Sequence, residues 1–296
     1  MRLRQIPVKL LWDGFNPLGV RKGTFVLFRG YIDESCDSKQ NVFALSCILD
    51  KGSDWIEFER KWKLHIAAKN RDLKRAGRPP ISRYHASDCS GCRKEFKGWT
   101  RDERDKFVLG LFQVFRQVPT FTVVYDVQID ELCAIFSEAF PDVVNDRLGA
   151  VYHWLTTVML IQIGKDLNGP TKNGSAIRFT LFHDRTAGDG DYDSTILRAF
   201  NKLMNDQTFS HREKFTTIAP LRWQDCVALQ PADLVAFECF KQAQARLEAR
   251  GSRKSFEALL NLGSFGIHSK TFNREALTRL RDLIKASVNQ KAEPSM

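Results

Sequence analysis

The sequence predicts an α/β fold, built on a mixed sheet that opens with a β-hairpin and carries helices on its faces. Three observations lead there. Two runs rich in β-formers stand close together near the start, and later β-rich runs alternate with stretches of helical periodicity. Hydrophobic residues make up 43% of the 296 positions, enough for a sizeable core in one large domain or two ordinary ones. We expect a single domain over residues 1–288, with helical insertions at about 53–118 and 128–170, C-terminal helices, and a frayed tail at 289–296.

The first β-rich run is Phe25-Val-Leu-Phe-Arg-Gly-Tyr-Ile32, ending at Asp33-Glu34-Ser35, and the second is Asn41 to Leu49; together they read as the hairpin. After Ser53, Trp55, Phe58, Trp62, Ile66 and Leu73 recur at roughly helical spacing until Gly77 to Pro80 break the pattern. Thr100-Arg-Asp-Glu103 is a capping-box pattern, in which Thr and Glu satisfy each other's backbone N–H groups. Behind it Phe107, Val108, Leu111, Phe112, Phe115 and Val118 form one apolar face up to Pro119. Phe121 to Tyr125 reads as a strand, Asp146 to Asn168 as a buried helix stopped by Asn168-Gly169-Pro170, and Ile177 to Phe182 as a strand running into His183-Asp184. Thr216 to Ala219 is a short strand candidate. Pro231 then sits where a helix would open, with Leu234, Phe237 and Phe240 as its buried stripe, and two more helices are expected at Ser255 to Leu262 and Arg274 to Ser287.

Forty-five Lys and Arg against 35 Asp and Glu give a charge of +10, which attracts phosphate backbones or anionic membrane surfaces. The start, MRLRQIPVKLLWDGF, lacks the apolar core and small-residue cleavage site of a secretory signal, so a cytoplasmic protein is expected. The most apolar stretch, Leu148 to Gly164, is interrupted by His153, Thr156, Thr157 and Gln162 and reads as a buried helix, so no membrane partner is expected. Seven scattered cysteines suit a reducing compartment. Cys89 and Cys92 lie near His85, but a structural zinc site needs four ligands and no second pair stands at finger-like spacing.

Three acids occupy informative positions: Asp33 directly after the first strand, Asp184 directly after a later strand, and Asp233 in the first turn of the helix opened by Pro231. Strand ends and helix starts hold side chains rigidly at one edge of a sheet, where open α/β sheets bind ligands. Carboxylates converging there repel one another unless a cation compensates them, and Mg²⁺ or Mn²⁺ takes such hard oxygen ligands. The same residue type also forms turns at strand ends and complements the helix dipole.

Four ordered motifs carry a resemblance: Tyr31-Ile-Asp33-Glu34-Ser35; Tyr84-His85-Ala-Ser-Asp88 with Glu95-Phe-Lys-Gly-Trp99; Phe182-His-Asp184; and Asp225-Cys-Val-Ala-Leu-Gln230-Pro-Ala-Asp233-Leu-Val-Ala236. In these the chain resembles the domain-of-unknown-function 3800 family over about residues 25 to 245. The resemblance implies an RNase H-like fold and a metal-dependent nuclease of prokaryotic type, often set among mobile elements or defence. It implies Asp33, Asp184 and Asp233 as metal ligands, Glu34 as a fourth acid, Asp225 and Gln230 as residues orienting ligands or substrate, and His85 as a general acid/base, metal ligand or phosphate contact. His183 is expected to be structural, since a continuing strand would turn it away from Asp184. Cys36 stands where the family has Gly, and Cys226 where it commonly has Ser.

Arg60-Lys61-Trp62-Lys63 interleaves base and aromatic, as a nucleic-acid track would, with Lys61 and Lys63 on phosphates and Trp62 stacking; an amphipathic helix with Trp62 in the core gives the same pattern. The function expected is therefore a Mg²⁺- or Mn²⁺-dependent phosphodiester hydrolase acting on DNA or RNA. The alternatives are a non-catalytic nucleic-acid-binding or assembly protein of the same fold, and a thiol or zinc enzyme using Cys89, Cys92 and His85.

Overall fold

The expected hairpin forms from β1 (Phe25–Asp37) and β2 (Val42–Lys51), which pair antiparallel with Asp37 opposite Val42. The computed structural model describes residues 25–37, 41–117, 120–137, 146–166, 176–185, 192–261 and 265–282. β3 (Thr120–Gln128) pairs antiparallel to β2, β4 (Ala176–Asp184) parallel to β1, β5 (Phe215–Leu221) parallel to β4, and β6 (Phe265–Phe272) parallel to β3. The mixed six-stranded sheet has the order β5-β4-β1-β2-β3-β6.

β1 does not stop at Asp33. It runs on to Asp37, and Cys36 pairs in register with Phe43, so no left-handed turn falls at Cys36 and the missing glycine costs nothing there. Among the described residues of the hairpin the positive φ is at Asn41 (57°), a residue type that tolerates it.

Between β2 and β3 lie α1 (Gly52–Arg75), α2 (Ala86–Ser90) and α3 (Arg101–Gln117); between β3 and β4 lie α4 (Ile129–Phe136) and α5 (Arg147–Asp166). These fill the two expected insertions. α6 (Tyr192–Asn205) joins β4 to β5, α7 (Leu229–Leu247) and α8 (Lys254–Leu260) precede β6, and residues 274–282 form α9. The capping box of α3 is made as expected: the Thr100 N–H donates to Glu103 Oε2 at 3.0 Å and the Glu103 N–H to Thr100 Oγ1 at 3.2 Å. Strand β6 and helix α6 were not expected. The readings for the N-terminal segment, Val118 and Pro119, the Asn168-Gly169-Pro170 stop and the tail fall outside the described residues.

The strand period of two sorts the core into two layers. Tyr31, Val42, Ala44, Ile48, Val124 and Phe182 face α1, α3 and α7, whereas Ile32, Phe43, Leu45, Leu49 and Leu181 face α4, α5, α6 and α9. Burying each Val, Leu, Ile or Phe side chain among these contributes about 1.5–3 kcal/mol. Polar anchors fix the first layer: Trp55 Nε1 donates to the Arg29 carbonyl at 3.0 Å, and Ser46 Oγ to the Ala232 carbonyl at 2.8 Å, seating α7 on β2. At the sheet centre Gly30 lets its neighbours close in, since a Cβ there would lie 2.5 Å from Leu181 Cδ2 and 3.0 Å from Cys47 Sγ. Among the described residues no helix is long and apolar enough to cross a membrane, and α5 is a helix of the second layer.

Candidate functional site

Strand register brings two of the three aspartates together. Tyr31 pairs with Phe182 and Ile32 with His183 in the parallel β1–β4 ladder, so Asp33 and Asp184 are the next neighbours along it. Alternation turns both toward α7, the side taken by Tyr31 and Phe182, whose rings stack at 5.5 Å. Asp33 lies within β1, opposite Ser46, rather than beyond its end, and Asp184 is the last residue of β4. The third acid, Asp233, comes from α7. That helix opens at Leu229, two residues before the expected Pro231, which places Asp233 in the second turn; Pro231 is accommodated because first-turn N–H groups have no helical partner.

Each aspartate is held by a backbone N–H. Asp33 Oδ1 accepts from Glu34 at 2.8 Å, Asp184 Oδ1 from Trp223 at 3.2 Å, and Asp233 Oδ2 from Ala86 at 2.8 Å. All three, with Glu34, line a cleft of about 160 Å³ completed by Arg83, Tyr84, His85, Trp223, Leu229 and Gln230. Burial is the largest cause that raises these acids above the ordinary carboxylate range, and their mutual repulsion adds to it. Asp33 is pushed well up by burial and then by Glu34, Asp233 and Asp184; Asp184 is pushed up to about 7 by burial and Glu34. Asp233 is also raised by burial, with His85, the Ala86 N–H and Arg83 drawing it back. Glu34 is raised by burial and steadied by the Tyr152 hydroxyl of α5, on the opposite side of the sheet from Asp33.

The donors are hard carboxylate oxygens from three separate elements, which is the chemistry that Mg²⁺ or Mn²⁺ takes. Among the described residues, no group of three or more His, Cys, Asp and Glu side chains is closed up as a ready-made cage for a metal ion. The acids line the cleft without being gathered on a single point.

Two residues that the sequence reading did not single out complete the cleft. Arg83 lies with its guanidinium carbon 3.3 Å from the centre of the Trp223 ring, and it interacts electrostatically with Asp233 and Asp184. Among the described residues it is the one Arg or Lys lining the cleft. The available signal was position: Arg83 directly precedes Tyr84-His85, and Trp223 lies just after β5 and two residues before Asp225.

His85 lines the cleft, with Nδ1 2.8 Å from Asp88 Oδ2; Asp88 is paired in turn with Lys94 at 3.0 Å. Gln230 lines it as well, but its Oε1 is occupied by Trp62 Nε1–H at 3.0 Å and the Tyr84 N–H at 2.9 Å. It therefore positions the Tyr84–His85 loop. The remaining candidates are not brought to the cleft. Asp225 is paired with Arg222 at 3.0 Å. Lys61 and Lys63 lie on α1, each paired one turn back with Glu57 (3.4 Å) and Glu59 (2.6 Å), because the intervening Trp62 points into the core. His183 is buried, with Nδ1 3.1 Å from the Asp184 carbonyl and 3.6 Å from Asp193 of α6. Cys89 packs in the core, where burial pushes its thiol up to about 12, against its use as a thiolate nucleophile or ligand.

A larger cavity, about 540 Å³, lies along α3 and α8 and is lined by Arg101, Arg104, Arg253 and Lys254 as well as Asp105 and Glu238. Size favours it as a default site. Chemistry favours the acidic cleft, since Arg104 is already paired with Asp105 (2.7 Å) and Arg253 lies against Glu238 (3.5 Å). No family model, no curated protein and no solved structure matches the chain.

Proposed function

We propose that the chain is a divalent-metal-dependent phosphodiester hydrolase with an RNase H-like fold, acting on DNA or RNA. One observation carries this reading: Asp33, Asp184 and Asp233, from two adjacent parallel strands and the helix packed on them, line one cleft, each fixed by a backbone N–H. The strand order β3-β2-β1-β4-β5, with β2 antiparallel to the others, supports the RNase H-like part, as does the motif resemblance.

Asp33, Asp184 and Asp233 would hold the ion, with Glu34 beside them. When bound, Mg²⁺ or Mn²⁺ supplies the positive charge that offsets the acids and stabilises charge developing around phosphorus. Arg83, stacked on Trp223, is placed to take a phosphate oxygen through its guanidinium N–H groups. His85, with Nδ1 engaged by Asp88, presents Nε2 to move a proton at the attacking water or the leaving oxygen.

The lack of a closed ligand group among the described residues favours a second reading, a nucleic-acid-binding protein without catalysis. Labelled single- and double-stranded DNA and RNA, incubated with Mn²⁺, Mg²⁺ or EDTA beside a folded Asp184→Asn variant, separate the two. Metal-dependent cleavage lost in the variant supports the hydrolase. Salt-sensitive binding with no cleavage under any condition supports the binding protein.

A further inference from the structure

A cavity of about 300 Å³ adjoins the acids and shares Glu34, His85 and Asp233 with the cleft. It wraps the end of β1, so that both layers of the core contribute to it. Phe43, Tyr152, Leu148 and Phe237 give it apolar and aromatic walls, while Ser35 and Ser87 bring hydroxyls. Phe43 and Tyr152 meet edge to face with ring centres 4.6 Å apart, which fixes that wall. Among the described residues no Lys or Arg lines the cavity, and two of its residues are acids, so a phosphate there would meet repulsion from Glu34 and Asp233. What suits it is an uncharged, flat group with an apolar face and a hydrogen-bonding edge. Its volume is at the small end of ligand sites, which run from about 300 to 1,000 Å³. One nucleoside fits that scale, and a stacked duplex does not.

We infer that this cavity is a subsite for a single unpaired nucleobase, flanking the phosphate that the acidic cleft addresses. Its place beside a scissile phosphate rests on the hydrolase reading; its affinity for a base does not. The consequence is a substrate that enters as a single strand or a frayed end, because a paired base would first have to leave its stack.

The test is calorimetry in EDTA, where no cleavage enters, with adenosine, guanosine, cytidine, uridine and thymidine against ribose 5-phosphate. Cys36→Trp fills the cavity from β1, at an exposed position whose strand accepts aromatics, and Leu148→Phe fills it from α5. At least one nucleoside is expected to bind about 10-fold or more tightly than ribose 5-phosphate, the scale of a base–aromatic contact. Each filling variant, with its fold checked by thermal melting, is expected to abolish that preference. Ribose 5-phosphate binding as well as every nucleoside, or both folded variants binding nucleoside like the parent, overturns the subsite. Nucleoside binding without metal-dependent cleavage of any strand keeps the subsite and removes the hydrolase, and cleavage without nucleoside preference does the reverse.

Discussion

Helix α7 borders a single buried acid toward one end and a cluster of acids toward the other. Near its C-terminal end Arg246 reaches Asp126 of β3 at 2.6 Å, and Asp126 also accepts from Thr271 Oγ1 at 3.0 Å and Cys239 Sγ at 3.6 Å. Burial raises the Asp126 carboxyl, but Arg246 and both hydroxyl and thiol donors pull against it. Toward the other end, Asp233 shares its cleft with Asp33, Glu34 and Asp184, and among the described residues Arg83 is the one Arg or Lys there, with His85 beside it. An acid kept for the fold brings its counter-charge with it. Acids that raise one another are, on the proposed reading, where a cation from outside the chain would supply the missing charge.

Exchanging the two sites by mutation is the strongest way to break this contrast. Asp184→Asn is expected to lower metal-dependent cleavage by at least about 100-fold, since even outer partners of metal ligands cost up to that much. Its melting temperature should hold or rise, because one of several mutually repelling charges is removed. Asp126→Ala should do the opposite, destabilising by about 2 kcal/mol as Arg246 loses its charged acceptor, with cleavage by the folded fraction unchanged. Equal melting losses in both variants, read by calorimetry, would remove the distinction.

The loop that completes the cleft offers a second lever. Gln230→Ala leaves two buried donors, Trp62 Nε1–H and the Tyr84 N–H, without their acceptor, at about 1–3 kcal/mol each. Denaturant unfolding should show a loss of that order, and cleavage should fall along with it because His85 follows Tyr84.

Proton and cation should compete at the cleft. The Asp184 carboxyl is raised in the folded chain from 3.8 to about 7, so its contribution to stability is complete below its unfolded value and is lost as pH rises through about 7. On the proposed reading a divalent ion would take the place of those protons. The rise in melting temperature on adding Mn²⁺ should therefore be larger at pH 8 than at pH 5.5, and a shift independent of pH would sink the idea. Smallest of all, Lys61→Ala and Lys63→Ala should each change stability by less than about 0.5 kcal/mol, as surface ion pairs do, and cleavage by less than about twofold.

Much of the scaffold was legible because it obeys local periods. The hairpin, the capping box of α3 and the buried stripe of α7 each follow from residues within one or two turns of each other. Asp33 and Asp184 were legible because each sits next to a run of β-formers. Strand β6 was not: Gly266, His268, Ser269 and Lys270 interrupt any alternation, and the strand exists because β3 offers it a parallel edge. Arg83 and Trp223 were missed for a related reason. Their meeting depends on a loop fixed by Gln230, 146 positions from Tyr84, and no local pattern encodes a contact of that span.

Gly30 stands three residues before Asp33, and the space of its absent side chain is taken by Leu181 and Cys47 from the flanking strands. A single methyl group there has no vacancy to enter, so the neighbours must shift along the same ladder that sets Asp33 beside Asp184. Divergence at position 30 would thus retune the acids without altering any of them. In a collection of variants it would register as lost activity whose cause lies in the spacing of the sheet, upstream of the chemistry.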